Sequence, residues 1–233
     1  MITAVSPPFV APQNWALTGD FNEGFRHWLA AIRVVPVVRA ACAEDALAVS
    51  EALIAGGIAA IEVTLTVPDA TRAIAALVDR LAVTVGAGSV RTRDDAERAM
   101  DAGARFIVAP TCESEVLHAC QRRQVPCVLG ALTPTEIERA HAAGAAVVKV
   151  FPVGSMGGPS YIKAVSAPLP DIPLMATGGV ALSEIEAYLD AGAMAVGIGS
   201  ELANVAAVQR GHGDEVIRAA QDLRSRLLGS KSR

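Results

Sequence analysis

One short phrase returns three times in this chain, always at the same point of the local pattern. Ala102-Gly103-Ala104, Ala143-Gly144-Ala145 and Ala191-Gly192-Ala193 each close an amphipathic stretch and open an apolar run, and Gly56-Gly57-Ile58 is a looser copy. A glycine just past a helical stretch is the residue that ends a helix in the left-handed conformation. Each phrase therefore reads as a helix C-cap leading directly into a strand. The glycines stand about 40–50 residues apart, the length of two βα units. Self-similarity at that period marks an internally repetitive architecture.

Filling in the alternate units predicts eight strands, near 33–39, 58–66, 82–88, 105–109, 125–130, 146–151, 172–177 and 193–198. Helical patterns follow near 44–56, 69–80, 92–102, 113–124, 134–143, 159–167, 182–191 and 213–228. Thr133-Pro134-Thr135-Glu136 and Leu182-Ser183-Glu184 read as helix starts. Eight strands joined by short connections in about 200 residues fit an α/β fold of the (β/α)8 TIM-barrel type. A doubly wound open sheet is the structural rival. A short N-terminal helix spans 20–32. The domain reading is an irregular extension over 1–18, a single barrel over 19–228 and a frayed tail over 229–233.

Aromatic residues make up 4% of the chain against 52% hydrophobic overall, so the core is built from Ala, Val, Leu and Ile. A net charge of −4 offers no basic surface for nucleic acid. No apolar run approaches the roughly 18–20 residues of a membrane span, and Met1–Pro8 lacks the basic start and apolar stretch of a signal peptide. Cys42, Cys112, Cys120 and Cys127 form no CxxC pair and read as reduced thiols. These features point to a cytoplasmic protein. The histidines are scattered without metal-ligand spacing, so neither a metal nor another cofactor is expected.

Against seventeen arginines the chain has three lysines, Lys149, Lys163 and Lys231. Lys149 lies in the apolar run Val147–Pro152, which reads as a buried strand. Arginine stays protonated, whereas a lysine amine in apolar surroundings can lose its proton and attack a carbonyl. Glu62, within Ile61-Glu62-Val63-Thr64-Leu65, poses the same puzzle, because an acid among β-branched residues is expelled unless paired or catalytic. The two are either a structural ion pair inside the barrel or a nucleophile beside a proton shuttle. In a barrel, functional groups belong at the C-terminal strand ends. Arg39 ends strand 1 there, a candidate for a substrate carboxylate, and Ser89 closes strand 3 with one hydroxyl. Thr177 ends strand 7. Gly178-Gly179 and Gly199-Ser200, after strands 7 and 8, suit a phosphate, since glycine admits close N–H approach and a following helix adds its dipole. Tight turns alone also explain them.

In this order, Val37-Val38-Arg39-Ala40, Ile61–Leu65, Gly86-Ala87-Gly88-Ser89-Val90, Lys149-Val150-Phe151-Pro152, Thr177-Gly178-Gly179-Val180 and Gly197–Ser200 resemble the 2-keto-3-deoxy-6-phosphogluconate (KDPG) aldolase family. That family includes the 6-phosphogalactonate and 4-hydroxy-2-oxoglutarate (KHG) relatives, and the likeness runs from about residue 22 to 205. The resemblance implies a metal-independent class I aldolase and a homotrimer, acting on pyruvate and a phosphorylated aldehyde. Lys149 forms the Schiff base on this reading and Glu62 moves protons. Arg39 and Ser89 place the carboxylate end, Thr177 contacts the C4 hydroxyl, and Gly178, Gly179, Gly199 and Ser200 cradle the phosphate. Thr177 resembles gluconate-type members. Some relatives place an arginine just after the glutamate strand, where this chain reads Thr66-Val67-Pro68, which leaves Arg39 to hold the carboxylate alone. A phosphosugar isomerase or decarboxylase, or a barrel that binds without turnover, predicts no covalent imine.

Overall fold

A computed structural model describes residues 20–81 and 83–229. Eight parallel strands close into a barrel in sequence order: β1 (Val34–Val38), β2 (Ala60–Thr64), β3 (Thr84–Gly88), β4 (Ile107–Val108), β5 (Cys127–Ala131), β6 (Val147–Val150), β7 (Leu174–Thr177) and β8 (Ala195–Ile198). Closure rules out the doubly wound rival. An open sheet has two free edges, whereas here β1 pairs with β2 through Val37 and Glu62 and with β8 through Val35 and Gly197. The extension over 1–18 and residues 230–233 of the expected tail lie outside the described residues. Gly229, expected in the tail, ends the last helix.

The helices are α1 (Phe21–Ile32), α2 (Ala43–Ala55), α3 (Ala70–Arg80), α4 (Arg93–Asp101), α5 (Ser114–Arg122), α6 (Pro134–Ala142), α7 (Pro159–Ser166), α8 (Ile185–Asp190), α9 (Val205–Gln209) and α10 (Gly213–Gly229). Gly57, Gly103, Gly144 and Gly192 have φ of 90°, 96°, 102° and 109°, the left-handed conformation that the repeated phrase predicts. Thr133 and Glu136 complete the capping box at the start of α6. Three elements differ from the sequence pattern. β4 pairs over only two residues of the expected 105–109. The expected helix over 182–191 opens as a 3₁₀ turn, Leu182–Glu184, before α8. The one-turn α9, capped by Asn204, is too short for a hydrophobic period to reveal.

Every strand residue is buried, because one face packs under the ring of helices and the other fills the barrel. The interior is a separate small cluster. Val35, Ala60, Phe106, Val147 and Met175 meet Phe25, Trp28 and Leu29 of α1 there. Those three fall at i, i+3 and i+4, one helical face, and α1 lays it across the N-terminal ends of the strands as a floor. The Phe25, Trp28 and Phe106 rings sit 5.6–6.3 Å apart. Aromatic volume thus fills the bottom of the barrel and leaves the C-terminal end to polar side chains. No described helix is long and apolar enough to cross a membrane.

Candidate active site

Strand alternation decides what faces inward. With Ala60 and Val147 inside, Glu62 and Lys149 are inside as well, each one pleat nearer the C-terminal mouth. β2 and β6 are four strands apart in a ring of eight, so the two side chains approach from opposite walls. Both are buried, Glu62 at 1% and Lys149 at 3% exposure.

Glu62 occupies space that Gly88 leaves open. A Cβ at position 88 would lie 1.9 Å from Glu62 Oε1 and 2.6 Å from its carboxyl carbon. Neither carboxyl oxygen has a hydrogen-bond partner, and no ion pair within 4.0 Å joins Glu62 to Lys149. The direct structural salt bridge open at the sequence level is therefore absent. Burial pushes the Glu62 carboxyl above the ordinary carboxylate range, against the opposing pull of Lys149 and Arg39. An unpaired interior carboxyl held in this way is a poor structural element and a suitable proton carrier.

Lys149 Nζ stands 5.0 Å from the centroid of the Phe151 ring, which shares its inward face two residues on. A Cβ at Gly178 would lie 2.8 Å from that ring, so the turn after β7 packs on the platform beneath the amine. The N–H groups of Val153 and Gly154 donate to the carbonyls of Thr177 and Gly178 at 2.9 and 2.8 Å, locking the ends of β6 and β7 together. Thr177 is 4% exposed, and its Oγ1 is buried with no partner. It stands over Gly197, whose missing side chain makes the room.

The remaining candidates form the rim. Arg39 follows β1, is exposed, and pairs with no carboxylate within 4.0 Å among the described residues. Ser89 follows β3, half-buried, at φ 57°. Gly178 and Gly179 turn at φ 89° and 75°, and Gly199 and Ser200 are exposed, with open space where a Gly199 Cβ would stand. Among the described residues none accepts a hydrogen bond from the N–H of Gly179 or Ser200. The helix dipole expected behind these turns is displaced, since α8 and α9 begin only at Ile185 and Val205. Phe151 and the volume role of Gly88 escaped the sequence reading, although period-2 alternation put Phe151 on the face of Lys149. Thr64 was also passed over; its Oγ1 donates to the Val38 carbonyl and contacts Thr66 Oγ1.

Residues 26–219 match the family model for KDPG and KHG aldolase. A 2-dehydro-3-deoxy-phosphogluconate aldolase of Treponema pallidum is 40% identical over 68% of this chain and 76% of that protein. The enzyme of that name from Pseudomonas aeruginosa is 36% identical over 84% of this chain and 89% of its own. Among solved structures, the KDPG aldolase of Legionella pneumophila, captured with pyruvate as a covalent carbinolamine, superposes with a TM-score of 0.77 at 31% identity, covering 83% of this chain and 97% of that one. A closed barrel with an interior amine facing an interior carboxyl, matched over most of its length, belongs to the KDPG and KHG aldolase family and is a carbon–carbon lyase.

Proposed function

We propose that the chain cleaves a 2-keto-3-deoxy-6-phospho sugar acid, of the 6-phosphogluconate type, to pyruvate and glyceraldehyde 3-phosphate through a Schiff base on Lys149. The observation that carries the reading is the opposition of a buried amine and an unpartnered buried carboxyl across the barrel interior. The neutral amine adds to the C2 ketone and water leaves, forming the protonated imine. Glu62 takes up the C4 hydroxyl proton as the C3–C4 bond breaks, and the electron pair flows into the imine to give an enamine and an aldehyde. Glu62 then returns the proton to C3, and water releases pyruvate and the free amine.

Arg39 and Ser89 hold the carboxylate end, Thr177 contacts the C4 hydroxyl with its buried Oγ1, and the N–H groups about Gly178, Gly179, Gly199 and Ser200 receive the phosphate. The glycine-lined turns after β7 and β8, with open space at Gly199, favour a phosphorylated substrate over 4-hydroxy-2-oxoglutarate. With family membership as support, we also propose a cytoplasmic homotrimer, which light scattering behind size exclusion tests by mass. The decisive experiment is borohydride reduction with pyruvate, followed by peptide mass mapping. A pyruvate-sized adduct on Lys149 is expected, and Lys149→Arg abolishes it despite keeping the charge. No adduct in folded protein refutes the mechanism in favour of an isomerase, a decarboxylase or a binding barrel.

A further inference from the structure

The pairing of β1 with β2 stops one residue before Arg39, at Val38 and Val63. Arg39 is the first residue of the loop that runs on to α2. Thr64, next along β2, is firmly placed. It pairs with Gly88 of β3, the following N–H, that of Leu65, donates to the Gly88 carbonyl at 2.8 Å, and its side chain is fully buried. From that fixed position Thr64 Oγ1 donates to the Val38 carbonyl at 3.1 Å. A carbonyl oxygen only accepts, so this contact takes the threonine proton. The same hydroxyl lies 2.8 Å from Thr66 Oγ1, where either oxygen can donate.

The Val38 carbonyl belongs to the planar peptide whose nitrogen is that of Arg39. A bond to that carbonyl fixes the peptide plane, and with it the direction in which the Arg39 side chain leaves the strand. That direction matters to the site, because the Arg39 charge is felt inside the barrel by the Glu62 carboxyl. The ladder below already joins β1 to β2, so the barrel closes without the threonine bond. We propose that Thr64 is a positioning residue, whose hydroxyl fixes the end of β1 so that Arg39 is held toward the substrate carboxylate. The inference rests on the Schiff-base reading above and on its assignment of Arg39.

The test titrates borohydride trapping on Lys149 with pyruvate and with acetone, a ketone that lacks the carboxylate. The readout is the half-saturating concentration of each. Thr64→Val raises the pyruvate value about 5-fold, the loss of one neutral hydrogen bond, and leaves acetone within about twofold. Thr64→Ser keeps both parent values. Thr64→Ala removes the same hydroxyl without adding a methyl group, and carries the same expectation if the valine variant does not fold. In an Arg39→Gln background, Thr64→Val adds less than about twofold, because the group it positions is gone. A pyruvate shift below about twofold, an equal rise for acetone, or a full effect in the Arg39→Gln background overturns the proposal. So does a Thr66→Val variant that reproduces the shift, since the threonine pair rather than the Val38 bond then sets Arg39. Failure of the reading beneath looks different. No adduct on Lys149 of the parent removes the aldolase reading, and an unchanged pyruvate value in Arg39→Gln removes Arg39 from the carboxylate. Either takes the role of Thr64 with it.

Discussion

Gly88→Ala isolates the geometry of the carboxyl without touching its chemistry. The new Cβ would stand 1.9 Å from Glu62 Oε1, so the carboxyl must withdraw by about 1.5 Å to regain ordinary van der Waals contact. The atoms in the way, Oε1, the carboxyl carbon and Cγ at 2.8 Å, all belong to the Glu62 side chain rather than to backbone, so the strand itself need not break. Alanine also restricts the unfolded chain, and stability stays within about 1 kcal/mol of the parent. Catalysis is less tolerant, because a displacement of about 1 Å at a reacting group costs on the order of 10²-fold. The assay is steady-state cleavage coupled to pyruvate reduction, with thermal unfolding alongside. We expect kcat to fall about 10²-fold while borohydride still traps pyruvate on Lys149. In a Glu62→Gln background the same substitution costs less than about threefold, since the group it displaces has already lost its function. A kcat within threefold of the parent, or an undiminished loss in the Gln background, refutes the idea that Gly88 acts by admitting Glu62.

Glu62→Gln slows turnover by about 10²–10⁴-fold and changes how stability depends on pH. With the folded carboxyl raised, the native state binds more protons than the unfolded one between the ordinary carboxylate range and the folded value. Parent stability therefore falls as pH rises through that window, and the difference between the parent and Gln unfolding curves recorded from pH 4 to 9 isolates this loss. A parent curve that rises relative to the variant contradicts the assigned direction. Thr177→Val removes a buried hydroxyl with no partner, so thermal unfolding shows stability unchanged or raised by about 1 kcal/mol. Its kcat/KM for the sugar acid drops about tenfold, and a stability loss without a kinetic one assigns Thr177 to structure instead. Trp28→Ala empties the floor and costs about 3–5 kcal/mol in denaturant unfolding, whereas a loss under 1 kcal/mol means α1 does not seal the barrel.

Much of this architecture was legible because a repeated physical problem has a repeated solution. Each helix must stop and turn into a strand, and glycine past the last turn does that at Gly57, Gly103, Gly144 and Gly192. Lys149 and Glu62 stood out because charge within β-branched runs contradicts local propensity. Other features left no local trace. The two-residue β4 depends on where neighbouring strands tilt, and the 3₁₀ opening before α8 and the single turn of α9 lie below the length at which a period can be read. Ser89 is intermediate, since its hydroxyl was visible but its left-handed φ was not. That φ disfavours a β-branched side chain at position 89, because such residues tolerate the left-handed region poorly.

The glycines of the site carry a lesson that motif reading hides. Read as sequence, Gly88, Gly178 and Gly197 belong to turn and phosphate signatures. In the barrel they vacate volume. The interior of an eight-stranded barrel is just wide enough for side chains to fill it, so a reactive cavity must be made by omission. Gly88 leaves room for the Glu62 carboxyl, Gly197 for the Thr177 hydroxyl and Gly178 for the Phe151 ring beside Lys149. Each omission sits across a strand or strand end from the group it serves. The functional pairs therefore lie far apart in sequence, 62 with 88 and 177 with 197, and only the register of β2 with β3 and of β7 with β8 brings them together. A glycine inside a strand that pairs with a strand bearing an inward polar residue is thus the signal to seek when a barrel of this kind is read from sequence alone.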